Sequence, residues 1–261
     1  MKAILACLAL VICAASALAD TRQDCEQFAN PDLQLRACTE IIGRDGKAAW
    51  AYTNRGNAYA AKGDHDRAIA DYTKAIEIRP KDGSAYLLRG RVRQDRGDYD
   101  RAIADYGKAI EFNPKGDAAY DDRGGAHQSK GDFDRAIADF SEVIRLNPSD
   151  AGAYNRRGRA YRLKGEHDRA IADFSTAIET VEKEAAAKRG GDSDVYARLK
   201  IMTGRINVML SYSERGASYL AKRDHDRAIA DYSRIARGQA GDQHPSGDQE
   251  QPCRRRTRRL P

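Results

Sequence analysis

The sequence predicts an all-α protein, an α-solenoid in which helical hairpins stack one after another along the chain. The first observation is a heptapeptide, Asp-Arg-Ala-Ile-Ala-Asp followed by Tyr or Phe, that begins at Asp66, Asp100, Asp134, Asp168 and Asp226. The first four copies are evenly spaced, and the interval before the fifth is longer because of an insertion. The second observation is the helical spacing of apolar residues within each period. A fixed period of about 34 residues is typical of one supersecondary unit that is copied and stacked.

Residues 1–19 have the features of a secretory signal peptide. Lys2 precedes an apolar run from Ala3 to Leu18, and Ala17-Leu18-Ala19 is a small-residue cleavage site. The run is shorter than the roughly 20 apolar residues that a membrane-spanning helix needs. We therefore expect cleavage after Ala19, a periplasmic or secreted location, and no transmembrane segment in the mature chain.

Residues 20–48 are predicted to form an N-terminal helical hairpin, a half-repeat. Asn30-Pro31-Asp32 is typical of a turn between two short helices, and Cys25 and Cys38 stand on either side of it. In an oxidising compartment these two cysteines are candidates for a disulfide. Two small buried thiols are the alternative.

The next residues show how each period folds. In the first period Ala68, Ile69, Tyr72, Ala75 and Ile76 form one apolar stripe of a helix, and the segment from Tyr52 to Ala61 has the same spacing. Gly63-Asp64 separates the two segments, and Pro80 ends the second one. Each period is therefore predicted to be an antiparallel helical hairpin.

The periods also share small and aromatic residues at fixed positions. Position 1 is taken as Ala49, Gly83, Asp117, Ala151 and Met209. Position 8 is then Gly56, Gly90, Gly124, Gly158 and Gly216, and position 24 is Tyr72, Tyr106, Phe140, Phe174 and Tyr232. Over residues 49–237 this pattern resembles five tetratricopeptide repeats, with an insertion at residues 183–206. The resemblance implies a right-handed superhelical α-solenoid. Two departures are the missing final proline of repeat four and Arg223, which replaces the glycine of the hairpin turn.

The five glycines at position 8 predict a close approach of helices. Glycine inside a helix costs about 0.5–1 kcal/mol relative to alanine, so its recurrence indicates a packing requirement. We expect the small residues opposite these glycines to be Ala68, Ala102, Ala136, Ala170 and Ala228.

Two charged positions recur in every repeat. Arginine precedes each of these glycines, at Arg55, Arg89, Arg123, Arg157 and Arg215, and the second helices carry Asp71, Asp105, Asp139, Asp173 and Asp231. Structural Arg–Asp pairs are the favoured interpretation, because each copy has both partners; a row of phosphate-binding arginines is the alternative. The Asp-Arg pairs that begin the heptapeptides are interpreted as solvated surface charges.

No catalytic motif is present in the sequence. His65, His167 and His225 share one turn position with Tyr99 and Phe133, which indicates a packing role for a flat ring. There is no nucleophile elbow, phosphate loop or zinc-type Cys/His spacing. We expect a protein that is not an enzyme and that needs no metal and no cofactor.

The resemblance implies that positions 2, 5, 9, 12 and 13 of each repeat face a concave groove that binds a peptide or protein. The candidate binding residues are Trp50, Asn57, Arg91, Asp121, Asn155, Arg159 and Arg162. They predict an uncharged end at repeat one and a basic end at repeat four, suited to a peptide with an apolar anchor and an acidic portion. Alternatively, Trp50 seals the N-terminal hairpin onto repeat one.

The insertion and the C-terminus complete the sequence. Residues 183–206 are predicted to extend two helices into a projecting hairpin whose apolar face packs on itself or docks another protein. Residues 238–261 are expected to be a disordered tail that ends in an arginine-rich run from Arg254 to Arg259, or the product of a shifted reading frame. An electrostatic binder of nucleic acid or an anionic envelope polymer is the alternative function, although an exported protein meets little nucleic acid.

Overall fold

A computed structural model describes residues 21–27, 29–187 and 195–240, and the regular secondary structure in these ranges is helical. The side chains of residues 187, 195–205 and 238–240 lie outside the description. A short helical segment at residues 21–26 comes first. The helices that follow are α1 (Pro31–Arg44), α2 (Ala49–Ala61), α3 (His65–Ile78), α4 (Gly83–Asp95), α5 (Tyr99–Phe112), α6 (Asp117–Ser129), α7 (Phe133–Leu146), α8 (Ala151–Lys164), α9 (His167–Ala187), α10 (Val195–Ala221) and α11 (His225–Ala240).

The helices pack in chain order as consecutive hairpins. Repeats one to five are the pairs α2/α3, α4/α5, α6/α7, α8/α9 and α10/α11, and within each pair we call the earlier helix the first helix. The second helix of a repeat packs on the first helix of the next one, and first helices of neighbouring repeats also contact each other. The predicted fold class, a right-handed superhelical α-solenoid, is confirmed.

Acidic caps and glycines set the turn inside each hairpin. The carboxylates of Asp64, Asp98 and Asp132 accept hydrogen bonds from the backbone N–H groups of Arg67, Arg101 and Arg135. The preceding turns contain Gly63, Gly97, Gly131 and Gly165, whose φ angles lie between 74° and 89°. Only glycine adopts this left-handed conformation without strain. In repeat five the same position is Arg223, with φ at 61°, so this turn is strained.

The glycines at position 8 accommodate aromatic rings rather than alanines. A Cβ atom added at Gly56 would lie 2.7 Å from Cε1 of Tyr72, and one at Gly124 would lie 2.8 Å from Cε1 of Phe140. The ring of the same repeat is also the nearest group at Gly90, Gly158 and Gly216. The expectation that alanines are the nearest groups was therefore wrong, although Ala68 and its equivalents are fully buried. Because the glycine has no Cβ atom, the flat ring lies directly on its backbone and the two helices of the repeat can approach closely.

The N-terminal hairpin follows the register of the repeats, and we call residues 21–44 repeat zero. A disulfide joins Cys25 and Cys38, which stand one period before Tyr59 and Tyr72. Both cysteines are fully buried, and the Gln34 side chain donates a hydrogen bond of 3.1 Å to the Cys25 carbonyl. The disulfide thus occupies the place that aromatic packing has in the later repeats.

Candidate protein-binding groove

Polar contacts join the first helices of consecutive repeats along the predicted groove. Arg91 of repeat two lies 2.6 Å from a carboxylate oxygen of Asp122 in repeat three. Asp121 of repeat three lies 2.5 Å from Arg156 of repeat four. Repeats four and five meet through the Ser211 hydroxyl, which donates a hydrogen bond of 2.7 Å to Asn155. Each of these junctions therefore has its own polar link.

Trp50 belongs to the junction with repeat zero. It packs against the cluster that contains Cys25 and Cys38, and the Arg22 guanidinium lies 5.1 Å from the centre of its ring. Of the two interpretations of this residue, the structure favours the one in which Trp50 seals the N-terminal hairpin onto repeat one. The apolar anchor expected at this end of the groove is therefore already in contact with repeat zero.

Asn57 is held by the aromatic residue of its own repeat. The Tyr72 hydroxyl donates a hydrogen bond of 2.8 Å to the Asn57 side-chain oxygen. Burial raises the pKa of Tyr72, so the hydroxyl remains a donor throughout the physiological range. Tyr106 makes the equivalent bond to Gln94 at 3.0 Å. These hydroxyls fix amide side chains at groove positions 9 and 12.

Asp121 is the carboxylate among the predicted groove residues, and its pKa is perturbed. Burial raises its pKa to about 6, although the Arg156 guanidinium favours the charged form. The two groups form an ion pair without hydrogen-bond geometry, because neither Asp121 Oδ1 nor Arg156 Nε makes a hydrogen bond within the described residues. A cavity of about 140 Å³ adjoins the pair, lined by Asp117, Ala118, Asp121, Val143, Asp150 and Arg156.

The basic end predicted at repeat four is partly neutralised. Arg162 lies 2.7 Å from a carboxylate oxygen of Glu214 in repeat five, and Arg159 approaches the same side chain to 4.0 Å. The expectation of a basic end is corrected by Glu214, which the groove positions missed because Glu214 lies at position 6 of repeat five, a position that the resemblance does not assign to the groove. Two arginines share one glutamate, so one positive charge remains in excess.

Exposed apolar side chains occupy groove positions of repeats four and five. Leu163 at position 13 is 43 % exposed, Leu210 at position 2 is 56 % exposed, and Leu220 at position 12 is 44 % exposed. Ile206, one turn before Leu210, is also exposed. If groove positions 2 and 12 had also been assigned in repeat five, the sequence would have identified Leu210 and Leu220. The exposed leucines at predicted groove positions thus lie at repeats four and five, whereas the apolar anchor was predicted at repeat one.

The recurring arginines and aspartates form the pairs that the sequence favoured. In all five repeats the arginine donates two parallel hydrogen bonds of 2.7–3.0 Å to a buried aspartate. These bonds raise the pKa of Arg55, Arg123, Arg157 and Arg215. Each guanidinium also lies 5.3–5.7 Å from the centre of the tyrosine ring three residues earlier. The arginines are occupied by these contacts, which supports a structural role.

Four of these arginines reach the preceding repeat as well. Their third nitrogen donates to a hydroxyl at position 25 of the earlier repeat, in the pairs Arg55–Thr39, Arg89–Thr73, Arg157–Ser141 and Arg215–Ser175. Repeat two has Gly107 at this position, so Arg123 lacks the equivalent bond among the described residues. One guanidinium thus joins three helices at most junctions.

Four of the aspartates that begin the heptapeptides join neighbouring repeats and are not merely solvated. Each forms an ion pair with a basic residue at position 14 of the next repeat, in the pairs Asp66–Arg96, Asp100–Lys130, Asp134–Lys164 and Asp168–Lys222, and Asp32 at the same position of repeat zero pairs with Lys62. The interpretation of these aspartates as solvated surface charges was therefore incomplete. Both members of each pair are exposed, so each contributes at most about 1 kcal/mol.

Metal sites, membrane spans and buried histidines were also considered in the sequence. Within the described ranges, histidine, cysteine and acidic side chains form no cluster of three or more that could hold a metal ion. None of the helices in these ranges is long and apolar enough to cross a membrane. His127 is buried, and desolvation lowers its pKa. The predicted signal peptide, the tip of the insertion and the arginine-rich run at residues 254–259 lie outside the described residues.

Known protein families share the unit that recurs along this chain. Sequence profiles of the tetratricopeptide repeat match residues 49–82, 71–104 and 122–188, and a TPR repeat profile matches residues 90–131. No sequence among the curated proteins matches the chain.

Solved structures of repeat proteins superpose on most of the chain. The crystal structure of a MamA protein is 24 % identical, covers 76 % of this chain and 94 % of its own, and has a TM-score of 0.62. MamA from Desulfovibrio magneticus RS-1 is 17 % identical over 75 % of this chain and 97 % of its own, with a TM-score of 0.62. YrrB, described as a TPR protein with an unusual peptide-binding site, is 20 % identical over 78 % of this chain and 93 % of its own, with a TM-score of 0.60. Together the profiles span residues 49–188, more than half of the sequence, and the chain belongs to the tetratricopeptide repeat family.

Proposed function

We propose that this protein is a non-enzymatic scaffold that binds a peptide or protein segment in the concave groove lined by its first helices. The observation that carries the proposal is the exposure of three leucines at groove positions of repeats four and five, Leu163, Leu210 and Leu220. Exposed apolar side chains bordered by charged residues are typical of an interaction surface. YrrB, a protein of the same fold with an unusual peptide-binding site, adds support.

The charges beside the leucines define the chemistry of the segment. Arg159 and Arg162 share Glu214, and the Arg159 side chain remains 58 % exposed. A segment with apolar side chains for the leucines and a carboxylate for Arg159 complements this surface. The predicted combination of an apolar anchor and an acidic portion is thus kept, but both parts are placed at repeats four and five.

The proposed location is the periplasm or another exported compartment. The signal-like sequence of residues 1–19 supports this location, and so does the disulfide between Cys25 and Cys38, because disulfides persist in oxidising compartments. Fractionation of cells that express the full chain, with the mass of the purified protein, tests the proposal. We expect the periplasmic fraction and a mass that begins at Asp20; a cytoplasmic protein with the complete N-terminus would contradict it.

Cross-linking inside cells tests the groove. A photoactivatable residue at position 220 is expected to give one discrete cross-linked product, and the change Leu210→Glu is expected to abolish it. Leu33→Glu is a matched control, because Leu33 is also exposed but lies in repeat zero. Equal cross-linking in the two glutamate variants would contradict the proposed groove.

A further inference from the structure

The outer face of repeat five repeats the surface that repeats one to four use to bind their successors. At each of these four junctions the second helix presents an exposed aspartate at position 18, an isoleucine at position 21, an aromatic ring at position 24 and, in most repeats, a hydroxyl at position 25. In repeat five these groups are Asp226, Ile229, Tyr232 and Ser233 on α11. The binding surface for a further first helix is therefore present on the last described helix.

The apolar part of this face is exposed in repeat five and covered in the earlier repeats. Tyr232 is 38 % exposed, whereas its four equivalents, Tyr72, Tyr106, Phe140 and Phe174, are at most 1 % exposed. Ile229 is 62 % exposed, whereas Ile69, Ile103, Ile137 and Ile171 are only partly exposed. In repeat one, Tyr72 packs with Val92 of the next repeat, and Ile69 packs against the cluster that contains both residues. Residues of comparable size on a partner helix would cover Ile229 and Tyr232.

The polar part of the face also lacks partners within the described residues. The aspartates at position 18 of repeats zero to four each pair with a lysine or arginine of the following repeat. Asp226 has no ion pair among the described residues, and the Ser233 hydroxyl has no hydrogen bond there. The equivalent hydroxyls of Thr73, Ser141 and Ser175 each accept one from an arginine of the next repeat. The face thus offers two acceptors for cationic donors on either side of an apolar strip.

These contacts specify the helix that fits. In the repeats the arginine is at position 7, the residue that touches the ring is at position 10, and the second cation is at position 14. Ala126 and Ala160 at position 10 pack with the rings of Tyr106 and Phe140, as Val92 does with Tyr72. Residues spaced by three and seven lie on one face of a helix. The fitting helix therefore carries arginine, then a small or apolar residue three positions later, then lysine or arginine seven positions after the first.

We propose that the face formed by Asp226, Ile229, Tyr232 and Ser233 binds a cationic amphipathic helix of a partner protein, which continues the solenoid as a further first helix. Repeat zero of a second copy does not match, because its sequence has Thr21 and Phe28 at positions 7 and 14 and so lacks both cations. This face lies on the second helix of repeat five and is separate from the groove. It can therefore bind its helix whether or not the groove is occupied.

A peptide from the protein itself is a suitable probe. The sequence of α8, residues 151–164, carries Arg157, Ala160 and Lys164 at the three required positions. A labelled, end-capped peptide of this sequence is titrated into the full chain, and a longer peptide of residues 151–180, which adds the second helix of the hairpin, is used in parallel. We expect saturable binding of at least one peptide; no saturation with either would overturn the proposal.

Substitutions in the chain then locate the bound peptide. Asp226→Lys is expected to weaken binding about fivefold or more, in line with the loss and reversal of one exposed ion pair. Ile229→Glu is expected to weaken it more than tenfold. Both positions are exposed, so the folded protein is retained. In the matched control Asp66→Lys the replaced carboxylate already pairs with Arg96, and binding is expected to be unchanged. Equal binding to the wild type and Asp226→Lys would contradict the proposal.

A charge exchange and a truncation distinguish a partner helix from two other possible occupants of this face, namely residues 241–261 and a second copy of the chain. A peptide with Lys164→Glu is expected to bind Asp226→Lys better than it binds the wild type, because the ion pair is restored with opposite polarity. If a chain ending at residue 240 bound the peptide and the full chain did not, residues 241–261 would be the occupant. If Asp226→Lys abolished self-association of the full chain, a second copy would be the occupant. Either result would overturn the assignment to a partner helix.

Discussion

Arg215 of α10 donates two hydrogen bonds to Asp231 of α11, at 2.8 and 2.7 Å, and a third bond of 2.9 Å to Ser175 of α9. One guanidinium thus joins repeat four to repeat five across the insertion. The same three-helix contact occurs at Arg89 and Arg157, where no insertion intervenes. The insertion therefore leaves this contact between consecutive repeats in place.

The buried aspartates of these pairs are expected to be important for stability. Asp105 accepts hydrogen bonds from both Arg89 and Arg93 and is buried. Asp105→Asn leaves two poorly exposed arginines without their counter-charge and is expected to cost about 3 kcal/mol in the free energy of unfolding. Asp66→Asn, at an exposed pair, is expected to cost less than about 1 kcal/mol. Urea denaturation measures both, and equal losses would contradict the structural role of the buried pair.

Adjacent glycines in repeat three provide a test of the contact between glycine and ring. A Cβ at Gly124 would lie 2.8 Å from Cε1 of Phe140, whereas a Cβ at Gly125 meets only Nε2 of Gln94, at 4.0 Å. Gly124→Ala is therefore expected to destabilise the protein by about 1–3 kcal/mol through overpacking. Gly125→Ala is expected to be neutral or to stabilise by up to about 1 kcal/mol through helix propensity. Thermal unfolding measures the melting temperatures of the two variants, and equal melting temperatures would refute the contact between glycine and ring.

The turn of repeat five is expected to be improved by glycine. Arg223 has a φ of 61°, and the equivalent glycines of the other repeats have the same left-handed conformation. Arg223→Gly is expected to raise the free energy of unfolding by about 1 kcal/mol. The reverse change in repeat four, Gly165→Arg, is expected to lower it by a similar amount. A loss of stability in Arg223→Gly would show that the arginine side chain has a role that outweighs the strain.

Asp121 is expected to make stability depend on pH in the acidic range. Its pKa in the folded protein is about 6, above the ordinary value of 3.8, so between these values the folded state binds more protons than the unfolded state. The contribution of protonated Asp121 is therefore present below pH 3.8 and is lost as pH rises through 6. The difference in unfolding free energy between wild type and Asp121→Asn is expected to change by at most about 3 kcal/mol over this range. A difference that is independent of pH would contradict this.

The sequence was sufficient for the fold and for the contacts that every repeat contains. The period located the hairpins, and the joint recurrence of Arg and Asp predicted the buried pairs. Contacts between different repeats were harder to predict. The pairing of Arg162 with Glu214 depends on two helices that are separated by the insertion, and the role of Trp50 depends on how repeat zero docks. The partner of each position-8 glycine was misassigned, because the spacing of small residues does not show which side chain crosses the interface.

The most direct measurement of the proposed function is hydrogen exchange of the full chain with a peptide bound. Short peptides are first selected from a random library for binding to the folded protein, and are expected to combine apolar and acidic residues. On binding, we expect slower exchange in α8 and in residues 206–221 of α10, and loss of this protection in Leu210→Glu/Leu220→Glu. Protection confined to the second helices, or unchanged affinity of that variant, would contradict a binding groove at repeats four and five.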